Sequence, residues 1–354
     1  MEKRYSIAVA LLMCVLTGGR LSAQTGGREV FPFLQASPGA RVAALGGMPV
    51  SWRAGDPGAA FLNPSLLTSD MSGSLQFSST SYFADVRLGH FSYVHAIDSN
   101  RYTLMAGVHY ARYGDIPRTD VYDVQGGQFR ASDADFYLSA SRAFRERIIV
   151  GAGIHYIHST LDAHQSQGLA FSAGVSYANP ERHYGLSLVL RNAGFQLSPY
   201  HQLREALPLE VQLGFSKKLK HLPLIYHLGF RHIERWNLRY DDPDLSDGDL
   251  LFGEEEEPGA FDRTLSNLMR HLVLGVELNI GKRENFSLRL GYNHLRNRDL
   301  SVADYRSLSG LSGGFGIRIY KFRFEYAYSG YHIAGGSSQI SIRTNLQQLF
   351  GRDM

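Results

Sequence analysis

The sequence predicts an all-β fold, a transmembrane barrel of the outer-membrane type with about 14 antiparallel strands. Three features lead to this prediction. They are an export segment at the amino terminus, a period-two alternation of apolar and polar residues, and connections that alternate between short and long. A large periplasmic or secreted β-sandwich is the alternative fold for such a chain.

The amino terminus has the three-part layout of a secretory signal. Charged residues Glu2-Lys3-Arg4 come before an apolar run from Ile7 to Leu16, and Leu21-Ser22-Ala23 forms a small-residue cleavage site before Gln24. The apolar run is much shorter than the ~20 residues that a membrane-spanning helix needs. We therefore expect residues 1–23 to be a cleaved signal peptide.

The composition excludes several classes of protein. Cys14 is the only cysteine and lies inside the signal, so the mature chain has neither a disulfide nor a thiolate metal site. The chain has 20 Tyr, 20 Phe and 37 Gly, a composition that favours a membrane barrel in an exported protein without cysteine. Its formal net charge of +3 is too small to indicate a nucleic-acid partner.

Alternation recurs along almost the whole chain after residue 73. In one segment apolar and polar positions follow one another as Phe286, Ser287, Leu288, Arg289 and Leu290. One face of such a strand suits lipid and the other suits a polar interior. Similar segments, mostly of roughly nine to eleven residues, predict strands near Ser74, Leu88, Thr103, Asp135, Ile148, Leu169, Tyr184, Pro208, Ile225, His271, Ser287, Ser312, Phe322 and Ser338.

The connections between these strands alternate in length. The short ones, which we assign to the periplasmic side, are residues 98–100, 144–147, 179–182, 281–285 and 320–321. The long ones, which we assign to the extracellular side, are residues 114–133, 159–168, 193–207, 234–270 and 295–308. Outer-membrane barrels show this alternation. The connections at 84–87 and 217–224 fit it less well.

Residues 24–72 do not alternate, and we call them the hatch. They contain a helix-like stretch at 40–47 that ends in glycines, followed by Asp56-Pro57-Gly58 and Asn63-Pro64-Ser65. Proline and glycine at this density favour tight turns over strands. We expect the hatch either to cap the barrel from below or to fill it, ahead of a barrel formed by residues 73–354.

The hatch also carries a family resemblance. The pattern Phe31-x-Phe33-Leu34, the stretch 40–47, Asp56-Pro57 and the run 63–66 resemble the amino-terminal region of the PorV/PorQ family of the Bacteroidetes type IX secretion system. The Asn-Pro-Ser-Leu run is also similar to the hatch of the wider FadL superfamily of outer-membrane barrels. The segment 235–243, Arg-Trp-Asn-Leu-Arg-Tyr-Asp-Asp-Pro, is closer to the PorQ branch than to PorV.

The resemblance implies a non-enzymatic role in an attachment complex at the cell surface. There the chain would hold a PorZ-like surface partner, beside PorU and PorV, within outer-membrane lipid. The residues that match the hatch motif are Arg41, Gly46, Gly47, Asp56, Pro57, Asn63 and Pro64. The candidate partner-binding residues, in the long loop 234–270, are Trp236, Tyr240, Asp241, Asp242 and Asp244. The two aromatics are candidates for interface anchors or, alternatively, for the aromatic girdle at the membrane surface.

Two other functions are the alternatives: a FadL-like importer of hydrophobic small molecules, and a generic porin. An importer needs a continuous apolar path through the lumen. The alternation instead predicts charged residues on the lumen face, namely Arg191, Glu277, Arg289, Arg318, Arg323 and Glu325. Opposite charges on neighbouring strands pair with one another, so we expect these residues to fill a narrow interior.

No motif indicates catalysis or a cofactor. The chain has no Gly-x-Ser-x-Gly, Ser-x-x-Lys or His-Glu-x-x-His sequence, although the catalytic triads of barrels need no local motif. His155 and His158 are three apart and so lie on opposite faces of a strand, which does not suit a shared metal. The acidic run from Asp242 departs from a calcium loop, because Asp247 stands where glycine is required and Gly253 where the bidentate Glu should be. A solvated acidic loop is the expectation there, and a weak extracellular calcium contact is the alternative. We expect no metal and no enzymatic activity.

Overall fold

The computed structural model describes residues 29–97, 102–119, 122, 125–145, 147–238, 260–281, 284–300, 308–332 and 335–351. Fourteen strands form a closed antiparallel barrel in which each strand pairs with its neighbours in sequence and β14 pairs with β1. The predicted fold class and strand number are confirmed. A closed sheet has no unpaired edge, as the hydrocarbon interior of a membrane requires. The signal segment lies outside the described residues.

The strands are β1 (Ser74–Ser81), β2 (Arg87–Ile97), β3 (Tyr102–Thr119), β4 (Gln125–Arg145), β5 (Ile148–Leu161), β6 (His164–Asn179), β7 (Tyr184–Ser198), β8 (Glu210–Lys218), β9 (Leu224–Phe230), β10 (Leu272–Ile280), β11 (Phe286–Asn293), β12 (Leu311–Ile319), β13 (Phe322–His332) and β14 (Gly335–Asn345). The α-helices are α1 (Ala40–Ala44), α2 (Pro57–Leu62), α3 (Ala260–Arg270), α4 (His294–Leu300) and α5 (Leu346–Phe350). Short 3₁₀ helices span Pro32–Gln35, Pro64–Leu66 and Ser69–Met71.

Several strands are longer than the sequence predicts. β3 has 18 residues and β4 has 21, so most of the connection expected at 114–133 is a paired β-hairpin and not a loop. The connection expected at 159–168 shortens in the same way, because β5 and β6 pair up to a turn at Asp162. Apolar alternation ends where a strand leaves the lipid, whereas backbone hydrogen bonding continues above it. An exposed ion pair between Arg130 Nε and Asp115 Oδ1, 2.6 Å apart, lies on this extension.

The two faces of the barrel have opposite character. The outer face carries exposed apolar side chains, among them Phe77, Phe91, Leu138, Phe171, Leu188, Leu213, Leu274, Leu290, Phe315 and Ile340. The inner face buries polar ones, among them Gln76, Ser78, His90, Ser92, Ser139, Ser187, Gln212, Asn279, Ser287 and Gln339. This inverted distribution is typical of a barrel whose outside meets lipid.

The hatch passes through the lumen from one end to the other. At the end with the long connections, which we assign to the extracellular side, Val30 N donates to Ala206 O in the β7–β8 connection at 2.9 Å. Just after the hatch, at the periplasmic end, Gly73 N donates to Val94 O on β2 at 2.8 Å, and β1 begins at the next residue. Between these points α1, α2 and the 3₁₀ helix Pro64–Leu66 contact the barrel wall, so the hatch lies inside the barrel.

Among the described residues, no helix has both the length and the apolar character needed to cross a bilayer.

The hydrophobic core lies between the hatch and the wall. Its largest cluster joins hatch residues Val42, Met48, Val50, Ala59, Ala60, Phe61, Leu62, Leu66, Leu67 and Met71 to Val94, Met105, Tyr137, Val189 and Val273 of the barrel. The hatch supplies most of these side chains because the inner face of the barrel is largely polar. Without the hatch, the few apolar residues on the lumen side would have no partner to pack against.

Candidate functional site

Arg41, in α1, belongs to a cluster of buried charges in the middle of the lumen. Its Nη2 donates to Glu277 Oε2 on β10 at 2.7 Å, and its Nη1 lies 3.4 Å from Asp56 Oδ2. Arg289 on β11 donates its Nε to Glu277 Oε1 at 2.7 Å and has its Nη2 3.0 Å from Glu325 Oε1. Buried charges are tolerated only when they are paired, so this cluster joins the hatch to three strands of the wall.

A second buried cluster lies closer to the extracellular end. Arg191 has its Nη1 3.5 Å from Glu210 Oε2, and Arg231 donates its Nε to Glu210 Oε1 at 2.7 Å. Arg191 Nη2 also donates to Leu34 O of the hatch at 3.0 Å. Four of the charged residues predicted for the lumen, Arg191, Glu277, Arg289 and Glu325, are therefore buried in ion pairs there.

Glycines on the wall allow the hatch backbone to come very close. A Cβ atom added to Gly291 on β11 would lie 2.2 Å from Gly46 N, a distance that no side chain can occupy. One added to Gly151 on β5 would lie 2.3 Å from the carbonyl carbon of Pro64. On the hatch itself, Gly46 and Gly47 have φ of 80° and 91° and end α1 in the left-handed region that favours glycine.

The remaining residues of the hatch motif shape its turns. Asp56 accepts a hydrogen bond from Gly58 N at 3.1 Å and caps α2, of which Pro57 is the first residue. Asn63 accepts from Ser65 N at 3.0 Å and caps the 3₁₀ helix that begins at Pro64. Asn63 Nδ2 also donates to Val50 O at 2.7 Å, which ties the two halves of the hatch together.

Phe61 of α2 packs among polar rings of the wall. Its ring centroid lies 4.8 Å from that of Tyr137, 5.3 Å from His90, 5.4 Å from His109 and 5.7 Å from His155. Tyr137 Oη and His90 Nε2 are hydrogen-bonded at 2.8 Å. No pattern within a single strand predicts this cluster, because the rings lie on separate strands and meet only after closure of the barrel.

Asp135, His155 and Ser172 form a hydrogen-bonded chain across β4, β5 and β6. His155 Nδ1 lies 2.9 Å from Asp135 Oδ2, and Ser172 Oγ lies 3.2 Å from His155 Nε2. The order acid, imidazole, hydroxyl is that of a catalytic triad. All three side chains are buried, however, and Phe61 packs edge-on against His155. These three residues therefore belong to the packing between the wall and the hatch.

At the extracellular end, Trp236 is held in an exposed position by α3. The side chain of Trp236 is 58% exposed, and its ring stacks on His271, which itself stacks on Phe230. Asn267, on the last turns of α3, donates its Nδ2 to Trp236 O and accepts from Leu238 N at 2.9 Å. α3 thus fixes residues 236–238. The sequence prediction placed a loop here, although the spacing of Phe261, Leu265 and Leu268 is that of a helix.

The other candidate partner-binding residues, Tyr240, Asp241, Asp242 and Asp244, lie outside the described residues, as does the acidic run considered for calcium. Among the described residues, no group of three or more His, Cys, Asp or Glu side chains could hold a metal ion. His155 is buried on the lumen side, and His158 belongs to the opposite face of β5.

A cavity of about 400 Å³ opens at the extracellular mouth of the lumen. Its lining includes the aromatic residues Phe33, Tyr82, Tyr113 and Tyr331 and the charged or titratable residues Arg231, His232, Arg296 and Asp299. The rings of Tyr82 and Tyr331 are 4.7 Å apart, and the Arg296 guanidinium lies 4.3 Å from the Tyr331 ring centroid. The cavity therefore combines aromatic surface with charged groups of both signs.

The chain matches no family model and no curated protein. It is similar to solved outer-membrane barrels of the FadL type. The monoaromatic hydrocarbon channel CymD is 15% identical, with 88% of this chain and 98% of that chain covered and a TM-score of 0.53. The toluene transporter TodX of Pseudomonas putida is 12% identical, with 89% and 98% covered and a TM-score of 0.52.

A Pseudomonas aeruginosa FadL homologue is 11% identical, with 88% of this chain and 98% of that chain covered and a TM-score of 0.50. At such low identity these likenesses establish the fold. The chain has the fold of FadL-type outer-membrane barrels, which makes the outer membrane the compartment that its architecture suits.

Proposed function

We propose that this protein is a non-enzymatic scaffold of the type IX secretion machinery, which holds a PorZ-like surface protein at the outer face of the outer membrane. Two features support this proposal, the PorQ-like sequence of residues 235–243 and the position of that segment on the barrel. Its described part lies above the extracellular mouth, where a surface partner would be met. The barrel supplies a rigid, membrane-embedded base for it.

The observation that carries the proposal is the exposed, preorganised Trp236. Trp236 is 58% exposed, so its large ring is accessible to a surface partner; the aromatic girdle at the membrane surface is the alternative role for such a ring. The stacking on His271 and the hydrogen bond that Asn267 donates to Trp236 O fix its position before binding, so little conformational entropy would be lost in an interface. Tryptophan is also the residue type most often found to dominate binding energy at protein interfaces.

The filled lumen supports a scaffold over a conduit. The hatch runs through the barrel and is joined to its wall by the Arg41–Glu277 pair and by backbone contacts at glycines. A generic porin needs an open aqueous lumen, whereas here the hatch occupies the lumen and packs against its wall.

The proposal is tested by replacing the exposed ring. Trp236→Ala should leave the barrel folded and weaken binding of the PorZ-like partner by about thirtyfold, the effect of losing about 2 kcal/mol at an interface anchor. The measurement is titration of the purified partner against the immobilised barrel. Leu203→Ala is the matched control, since Leu203 is also exposed on an extracellular loop but lies outside the PorQ-like segment.

A deletion distinguishes the contribution of Trp236 to partner binding from that of the rest of the loop. Removal of residues 241–259, which keeps Trp236, should leave the barrel folded and abolish co-purification of the partner. Undiminished binding by both the deletion variant and Trp236→Ala would exclude this loop as the anchor.

A FadL-like importer of hydrophobic small molecules is the second candidate, and the mouth cavity is the observation that favours it. Its aromatic wall of Phe33, Tyr82 and Tyr331 suits an apolar molecule. Arg296 suits a polar end group, whereas Arg231 is already paired with Glu210. Proteins of the same fold are described as monoaromatic hydrocarbon channels and as a toluene transporter.

Toluene binding distinguishes the two candidates. An importer should bind toluene saturably in the cavity, with binding lost in Tyr82→Ala, and should carry it into vesicles. A scaffold should bind its surface partner equally well before and after Tyr82→Ala and show no uptake. Uptake by the intact protein, with no partner binding, would replace the scaffold by the importer.

A further inference from the structure

Three arginines stand side by side at the periplasmic opening of the lumen. Arg318 on β12 is the register partner of Arg323 on β13, and Arg323 is the register partner of Arg343 on β14. Arg323 shares the lumen face of β13 with buried Glu325 and Ala327, two and four residues further along. The three side chains therefore form a row across neighbouring strands, which we call the arginine row.

Carboxylates neutralise the arginine row only in part. Among the described residues, the one acid within ion-pair distance of it is Asp56, 3.8 Å from Arg343 Nη1, and Asp56 also faces Arg41. Glu325 lies beside Arg289. The arginine row relies instead on carbonyl groups, since Arg323 Nη2 donates to Glu284 O at 3.3 Å and Arg343 Nη1 donates to Gly55 O at 2.5 Å.

This arrangement contrasts with the rest of the lumen. Arg41, Arg191, Arg231 and Arg289 each lie within 3.5 Å of a buried carboxylate. Among the described residues, no carboxylate lies at that distance from Arg323, and its Nε is buried without a hydrogen-bond partner, as are Nη1 and Nη2 of Arg289 in the central cluster. Like charges opposite each other on adjacent strands destabilise a sheet. An anion bound beside the three charges would offset this repulsion.

We propose that the arginine row is a binding site for a phosphoryl oxyanion that reaches the barrel from the periplasmic side. Guanidinium groups bind tetrahedral oxyanions through paired N–H donors, and three adjacent strands place such groups across roughly 10 Å. The Nε of Arg323 is a donor that such an anion would satisfy. Phosphate chemistry is available there from free phosphate and from phospholipid headgroups of the inner leaflet.

The test is the thermal stability of the purified full-length barrel. In detergent at constant ionic strength, replacing chloride by inorganic phosphate should raise the temperature at which the barrel unfolds. In nanodiscs, phosphatidylglycerol should raise it relative to a glycolipid that carries no phosphate. A rise with free phosphate identifies a soluble ligand, a rise only with phosphatidylglycerol identifies a headgroup, and either result supports the site.

Variants connect the effect to the arginine row. Arg323→Gln should lower the affinity for the phosphate group at least tenfold, and Arg323→Lys, which keeps the charge, should recover part of it. Arg318→Gln provides a second test at an exposed position, in case Arg323→Gln does not fold. Lys220→Gln is the control, since it removes the same charge from the β8–β9 turn of the same rim.

Two results would overturn the proposal. The first is a wild-type protein that neither phosphate nor phosphatidylglycerol stabilises, which includes the case in which only an acidic peptide does so. The second is equal stabilisation of the wild type, Arg318→Gln and Arg323→Gln, because the anion would then act without the arginine row.

Discussion

The middle of the lumen and the extracellular platform around Trp236 are held together in different ways. In the lumen, Arg41 of the hatch meets Glu277, a residue 236 positions away in sequence, through fully buried charges. On the platform, Trp236 meets Asn267, 31 positions away, through a neutral amide near the surface. The first contact joins parts of the chain that only barrel closure brings together. The second lies within one loop and its helix.

This difference implies a division of effects. A change in the central charge cluster should destabilise the entire protein, because it separates the hatch from the wall. A change on the platform should leave the barrel intact and alter only what binds to it. Three substitutions examine this division, and their expected effects on stability decrease in the order given.

Glu277→Gln should have the largest effect. It leaves Arg41 and Arg289 buried opposite a neutral amide, and breaking a buried ion pair from one side typically costs about 3–5 kcal/mol. The measurement is the urea midpoint of the barrel in phospholipid vesicles. As control, Glu181→Gln removes one partner of an exposed ion pair to Arg147, which should cost less than about 1 kcal/mol. Similar losses in the two variants would contradict a central role for the cluster.

Gly291→Ala should have a smaller effect on stability but a direct effect on the lumen. Because the new Cβ would lie 2.2 Å from Gly46 N, the hatch must move away from β11, at a cost of about 1–3 kcal/mol. Planar-bilayer recordings should then show ion conductance that the wild type lacks. Gly313→Ala is the control, because its Cβ would make only ordinary contacts, 3.4 Å from the end of the Leu290 side chain and 3.7 Å from Arg289 O. A folded Gly291→Ala barrel that stays silent would mean that the hatch does not close the lumen at this point.

Asn267→Ala should have the smallest effect on stability. It removes the amide that holds Trp236 O and Leu238 N, a loss of about 1 kcal/mol confined to the platform. The urea midpoint should stay close to that of the wild type, while partner affinity in the titration described for Trp236→Ala falls by about fivefold. Leu265→Ala on the same helix is the control, since Leu265 is exposed. A large fall in the urea midpoint would show that the platform is coupled to the barrel after all.

The sequence by itself determined the type of fold and the approximate place of each strand. Alternation is a local property, since successive side chains of a strand point to opposite faces, so Phe286 to Leu290 could be assigned to lipid and lumen sides without any partner strand. Turn chemistry is equally local. Asp56-Pro57 and Asn63-Pro64 therefore marked the hatch as a non-strand segment, and both pairs do begin short helices.

The ends of the strands and the residues that meet across the lumen were decided only by the tertiary structure. The β3–β4 hairpin extends beyond its apolar alternation because backbone pairing needs no lipid. The partners of Arg41, the rings around Phe61 and the arginine row depend on register and closure, which place side chains from distant strands at the same height. Each of these contacts is set by the geometry of the closed sheet. No pattern within a single strand contains that information.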